Sequence, residues 1–166
     1  MSDQVNVTSV PIDGFWGIHL PCHKSDLEAA IEAKGYGDSL VSYDERRDEY
    51  RVRKPVWNGL EFGIAYFRVY QQTVVYSGEL SKSFKMDSRD DAFSFLDSVM
   101  EFIKAEYGLP NKIESESFIK YYGWIDTMAN SIDLTLGESV SKVGEQRIYV
   151  DLAFKNNEYY MKNKWL

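Results

Sequence analysis

His19, Cys22 and His23 lie within five residues and are the one grouping in the chain with the donor atoms of a soft or borderline metal site. A structural zinc needs four ligands, and the chain holds no other His or Cys, so a carboxylate would have to complete the set. Three donors on one loop are read as no metal site. Cys22 precedes a helix start, where the dipole lowers thiol pKa and would favour a nucleophile. Lone cysteines are nonetheless among the most buried residue types, which makes a packed, inert thiol the better expectation. No Gly-x-Ser-x-Gly, phosphate-cradling glycine loop or dinucleotide fingerprint occurs. No catalytic residue is assigned, and no cofactor is expected.

Glu114 and Glu116 share a period-two row with Phe118, Lys120, Tyr122 and Trp124. Paired carboxylates beside aromatic platforms suit sugar chemistry, but the same alternation is the ordinary solvent face of an antiparallel strand. Tyr122 and Trp124, with Lys120 and Glu116 in their row, make a contact strip for a protein or a carbohydrate. The opposite row, Ile113, Ile119, Tyr121 and Ile125, is more aliphatic and is expected to face the helices. That leaves Tyr122 and Trp124 on an open sheet face, unless the chain termini supply a second layer over them. Trp57 is a further binding candidate, beside Arg46, Arg47, Arg51, Arg53, Lys54 and Tyr50. Asp44, Glu45, Asp48 and Glu49 nearly neutralise that basic stretch, so it reads as a solvated hairpin tip with cross-strand ion pairs and not as a nucleic-acid contact.

Composition sets the frame for these side chains. The 166 residues are 44% hydrophobic and 27% charged, the balance of one packed globular domain over 1–166. Four Trp, 12 Tyr and 9 Phe bias the reading towards strands and supply rigid contact anchors. A net charge of -7 disfavours unspecific attraction to phosphate backbones or anionic lipid, so neither a nucleic acid nor a membrane is expected as partner. The first seven residues lack the basic and apolar segments of a signal peptide, so the chain reads as cytoplasmic or as a mature fragment of an exported protein. No stretch approaches the ~18 apolar residues of a spanning helix.

Two helices position the rest. Ser25 with Glu28 has the form of a capping box, and Leu27, Ala30, Ile31 and Lys34 keep helical spacing up to Gly35, predicting a helix over 25–34. Ser88, Asp90 and Asp91 open a second, whose stripe is Ala92, Leu96, Val99, Met100, Ile103 and Tyr107, closed by Gly108 and Pro110. Hairpins are predicted from 39–44 with 49–54, and from 61–70 with 73–84 across Gln71 and Gln72. Asn58-Gly59 is a further turn, and a short strand precedes the first helix at 15–20. After the second helix, strands are expected at 112–126, 131–143, 146–155 and 158–165, with Asn156-Asn157 as a hairpin turn. The fold expectation is α+β, an antiparallel sheet of about eight strands with two helices packed on one face. A duplicated helix-plus-four-strand unit, with halves 15–84 and 85–166, stays open as an alternative.

Residues 15–20, Phe-Trp-Gly-Ile-His-Leu, followed by Lys24 to Gly35, resemble the opening of the small bacterial domains grouped as β-lactamase-inhibitor-protein-like. Those domains begin with a Gly-containing strand, a Lys-Ser N-cap and a helix running into Lys-Gly before a four-stranded antiparallel sheet. This chain departs from them at Pro21 and Cys22, where a Gly is usual. The resemblance implies a non-enzymatic α+β module that presents a sheet face to another protein, and it carries over no catalytic residue. The expected function is therefore a non-catalytic protein-binding module of inhibitor or immunity type. The alternative is a small-ligand or carbohydrate binder, or a small enzyme, with a pocket between sheet and helices.

Overall fold

The computed structural model describes residues 7–116 and 119–164. After a hairpin of β1 (Gly14–Phe15) and β2 (Ile18–His19), the chain enters β3 (Cys22–His23) and α1 (Lys24–Ala33). Strands β4 (Val41–Asp44) and β5 (Glu49–Arg53) follow, then the small hairpin of β6 (Val56–Trp57) and β7 (Leu60–Glu61), then β8 (Ile64–Tyr70) and β9 (Val74–Lys85). A 3-10 turn over Met86–Ser88 leads into α2 (Arg89–Tyr107). Strands β10 (Lys112–Ser115), β11 (Lys120–Ile125), β12 (Ser131–Val140) and β13 (Gln146–Lys155) then precede α3 (Asn157–Lys164).

Nine of these strands, among the described residues, form one antiparallel sheet in the order β10-β11-β12-β13-β9-β8-β5-β4, with β3 paired to the start of β9. Each half of the chain is a helix followed by an antiparallel meander, and the two meanders meet where their last strands, β9 and β13, pair. The tight turns fall where the sequence allows positive φ. Asn58 and Gly59 take φ 50° and 77°, the left-handed pair that the two-residue hairpin between Trp57 and Leu60 requires, and Gln71 and Gln72 take 47° and 59° in the three-residue loop closed by Tyr70 and Val74.

Alternation fixes which row is buried. Ile148, Val150, Leu152 and Phe154 of β13 are buried, and their cross-strand partners include Leu134, Leu136 and Ile132 on one side and Leu80 and Gly78 on the other. The row continues through Ala65 and Phe67 of β8 to Val52 and Tyr50 of β5. Leu27 and Ile31 of α1, and Ala92, Leu96, Val99, Met100 and Ile103 of α2, belong to the same core. Gly78 matters for a reason of space: a Cβ there would overlap the ring of Phe15, which packs against Phe67 and Phe154 at centroid distances of 6.1 and 6.5 Å. The N-terminal hairpin can therefore press an aromatic ring onto the sheet backbone.

Five expectations are corrected. The span 15–20 is not one strand, because the chain reverses at Trp16 and Gly17, φ 54° and 71°, to pair β1 with β2. The capping box at Ser25 does not form, because His23 is the N-cap and its Nδ1 accepts from the Ser25 amide at 3.1 Å, while Glu28 accepts from the Tyr50 hydroxyl. The span 112–126 is not one strand but the hairpin β10 and β11, with backbone hydrogen bonds in both directions between Glu116 and Ile119, and Phe118 lies outside the described residues. The span 158–165 is helical: Asn156 Oδ1 accepts from the Tyr159 amide at 3.2 Å as a cap, and Lys162 pairs with Glu158 one turn away at 3.1 Å. Its Trp165 is likewise outside the described residues. Finally, the rows of β11 are inverted. Trp124 pairs with Ile132 and Tyr122 with Leu134, which puts both on the core row, whereas Tyr121 and Ile125 pair with Thr135 and Ser131 on the polar row; Ile113 lies opposite Tyr122 but is 60% exposed at the sheet edge, and Ile119 is 53% exposed. The reversal of direction between β10 and β11 sets Ile113 opposite Tyr122 on one face, where a single strand would have put the two on opposite faces.

The α2 stripe supports a direct stability test. Leu96 is 3% exposed at the middle of that helix, and Leu96→Ala should cost about 2 to 5 kcal/mol in urea unfolding. A loss below ~0.5 kcal/mol would show that the site can collapse or is not core.

Candidate functional site

The row alternate to the core row is mostly polar, with Ile64, Ile125 and Ala153 among its apolar members. Three cross-strand lines define its centre. One runs Gly123, Asp133, Ala153, Glu79, Tyr66, Arg51. A second runs Tyr121, Thr135, Asp151, Ser81, Ile64, and a third Ser131, Lys155, Ser77, Arg68, Glu49. Because β9 and β13 contribute Ser77 and Ala153 here, small side chains floor part of the middle of the sheet, while Tyr121 of β11 and Arg68 of β8 stand at its sides. The result is a depression of about 540 Å³, lined by Arg68, Glu79, Tyr121, Asp133, Asp151 and Lys155 among others, with Tyr160 of α3 at one end. α3 is held there by Tyr159 against Tyr70, 5.5 Å between centroids, and by the Lys155 ammonium 4.7 Å from the Tyr160 ring.

The electrostatics of this floor are unusual. Glu79 and Asp151 sit on neighbouring strands two residues out of register, a diagonal pair within reach of one another. Burial raises the Glu79 carboxyl from the ordinary 4.5 to about 7; the Asp151 charge adds to the rise, and Arg68 and Lys155 oppose it. Burial also raises Asp151, with a hydrogen bond from Ser81 working the other way. Asp133 takes a hydrogen bond from the Tyr121 hydroxyl, and that contact together with burial raises the phenol's pKa. Further along, Arg51 lies 3.7 Å from Glu49 and 3.9 Å from Asp44, its guanidinium 5.7 Å from the Tyr66 ring, and its buried Nε has no hydrogen-bond partner among the described residues. This arrangement can exchange a proton near neutrality and attract a cation.

The residues singled out from sequence do not converge. Trp124 is 1% exposed, with its indole N–H donating to the Gly108 carbonyl at 2.9 Å, so it ties β11 to the end of α2 instead of offering an anchor. Tyr122 is half-buried against the core, Lys120 donates to Ser115 Oγ, and Glu116 is exposed in the turn. Trp57 packs edge-on to Phe102 and Phe62 at 5.5 and 6.4 Å, far along the chain from that strip. Glu114 pairs with Lys112 at 3.2 Å on the exposed edge strand, apart from the aromatic rings once assigned to its row. Cys22 is not an activated thiol: burial and the nearby Asp26 raise its pKa, and a hydrogen bond from the Leu27 amide only partly offsets them. Among the described residues no three of His, Cys, Asp or Glu are placed to hold a metal ion, and no helix is long and apolar enough to cross a membrane.

Glu79 and Asp151 escaped the sequence reading because no spacing connects them. The alternation of 64–70 and 146–155 does place Tyr66 with Arg68, and Tyr149 with Asp151 and Lys155, on common rows. The pairing of β9 with β13 is what brings those rows side by side. Comparison with family models, with curated proteins and with solved structures finds no match to the chain.

The Glu79 shift has a stability consequence with a definite sign. The folded chain holds that proton more tightly than the unfolded chain, so this group's contribution is full below about pH 4.5 and is lost as pH rises through about 7. Glu79→Gln removes the loss. At pH 8 the variant should be more stable than the parent by about 1 to 3 kcal/mol, with the gap closing towards pH 4 in urea unfolding. An equal difference at both pH values would contradict the shift.

Proposed function

We propose that the chain is a non-catalytic protein-binding module of inhibitor or immunity type, whose partner docks on the polar sheet face and seats a basic side chain over Glu79 and Asp151. In this reading α1 and α2 both cover the opposite face, and the row from Tyr66 through Glu79 and Ala153 to Asp133 is left for the partner. The observation that carries it is the depression on that face, with a pair of half-buried carboxylates on a floor of small residues. Charge complementarity selects the occupant: a chain of net charge -7 with carboxylates at the centre of its open face favours a basic protein and repels phosphate backbones. Tyr66, Tyr121 and Tyr149 are rigid amphipathic rings of the kind that anchor interfaces. The resemblance of residues 15–35 to the β-lactamase-inhibitor-protein-like domains points the same way. A second reading, small-ligand binding between sheet and helices, is favoured by a separate cavity that Trp57 lines between the N-terminal hairpin and α2.

Photocrosslinking in the cell that makes the protein tests the docking. Benzoylphenylalanine replacing Tyr66 or Tyr149 should give an adduct with one protein, joined through a segment that contains Lys or Arg, and Glu79→Lys should reduce that adduct by at least about tenfold. No adduct from either position, adducts only from a probe at Phe102 on α2, or an adduct insensitive to Glu79→Lys would each overturn the proposal.

A further inference from the structure

A second cavity, of about 300 Å³, lies away from the polar sheet face. Its floor is the core row of the sheet at Ile132 and Leu152, α2 contributes Ile103 and Tyr107 to its wall, and Trp57 and the β1-β2 hairpin complete it. The hairpin is fixed firmly enough to keep the space open. Phe15 and Ile18 are each 6% exposed, the Trp16 indole N–H donates to the Val56 carbonyl at 2.8 Å, and the Leu20 amide donates to the Asp13 carbonyl at 3.0 Å. Core side chains reach the floor, so the cavity is a half-open recess that cuts down to the core row.

Its polar lining carries one sign of fixed charge. Asp13 and Glu106 are both exposed at the mouth, the other polar side chains are His19 and Tyr107, and no Lys or Arg lines the cavity among the described residues. The Tyr107 hydroxyl reports the field there: burial raises its pKa most, followed by the Glu106 carboxylate and its hydrogen bond, then by Asp13 and Asp126. The phenol therefore stays protonated. An apolar floor, the Trp57 and Tyr107 rings, and two carboxylates at the rim describe a site for a group that is apolar at one end and positive at the other. A volume at the lower end of the ~300–1,000 Å³ range of ligand cavities sets the size at one ring with a short arm.

We infer that this cavity binds a small organic cation with an apolar body, such as an aryl-alkyl ammonium, its apolar end against Ile132 and Leu152 and its charge between Asp13 and Glu106. The site deepens the small-ligand reading and is independent of docking on the polar sheet face, so either can fail alone.

Titration of the full chain at pH 8 with 2-phenylethylammonium, with 3-phenylpropanoate as the charge control, tests it through the emission of Trp16 and Trp57 and through amide shifts in nitrogen-proton spectra. The cation should bind saturably, with shifts gathered at Trp57, Ile103 and Tyr107, and the anion at least about tenfold more weakly. Asp13→Asn combined with Glu106→Gln changes only exposed side chains and should weaken the cation at least about fivefold. Several outcomes would overturn the inference: no saturation below about 10 mM, a strength far below that of specific small-ligand sites; equal binding of the anion; an unaffected double variant; or shifts gathered instead around Glu79 and Ala153.

Discussion

The pairing of residues 77–85 with 147–155 is the interaction on which both faces of the sheet depend. On the core side it sets Leu80 against Leu152 and Gly78 against Phe154, and the bare backbone at Gly78 is where the Phe15 ring comes to rest. On the other side the same ladder sets Glu79 against Ala153 and Ser81 against Asp151. A slip of one residue would exchange the two sets, placing carboxylates in the core and leucines in water. Hydrophobic burial along the core row therefore fixes the register, and the register in turn fixes the distance between the two carboxylates.

That coupling explains why charge is tolerated at the middle of the sheet. A half-buried carboxylate costs free energy unless it is paired or protonated. Glu79 meets the cost partly by holding its proton towards neutrality and partly through the opposing charges of Arg68 and Lys155. The core row, with Leu80, Val150 and Leu152 at 0 to 1% exposure, supplies the stability that offsets it. Sites whose local environment works against their own ionisation are candidates for ligand contact, because a partner's cation relieves the penalty that the fold alone leaves in place.

Several local signals were legible in the sequence, though not the cap at Ser25, where His23 and Tyr50 take the partners that a capping box would have used. The alternation at 146–155, the stripe from Ala92 to Ile103 and the turns at Asn58-Gly59 and Gln71-Gln72 all appear as expected. Errors arose where a choice between two local structures is settled elsewhere. The polar run after Asn156 suits a strand or a helix by composition, and the cap at Asn156 with the packing of Tyr159 on Tyr70 selects the helix. Trp124 could have faced either way on a strand of uncertain start, and its bond to the Gly108 carbonyl at the end of α2 selects the core. The candidate site was the least legible part, since Glu79 and Asp151 are 72 residues apart and meet only through the central ladder. Of Glu116, Lys120, Tyr122, Trp124 and Trp57, only Trp57 lines either the depression on the polar face or the cavity beside α2.

The ladder between β9 and β13 creates a half-buried carboxylate pair, Glu79 and Asp151, on the polar side of the sheet. Carbon-detected NMR titration of the Glu79 side-chain carboxyl measures it directly. A midpoint near 7 is expected, moving down when Asp151 is replaced by Asn, because one raising charge is removed while burial persists. A midpoint at the ordinary value near 4.5, or one indifferent to Asp151→Asn, would contradict it.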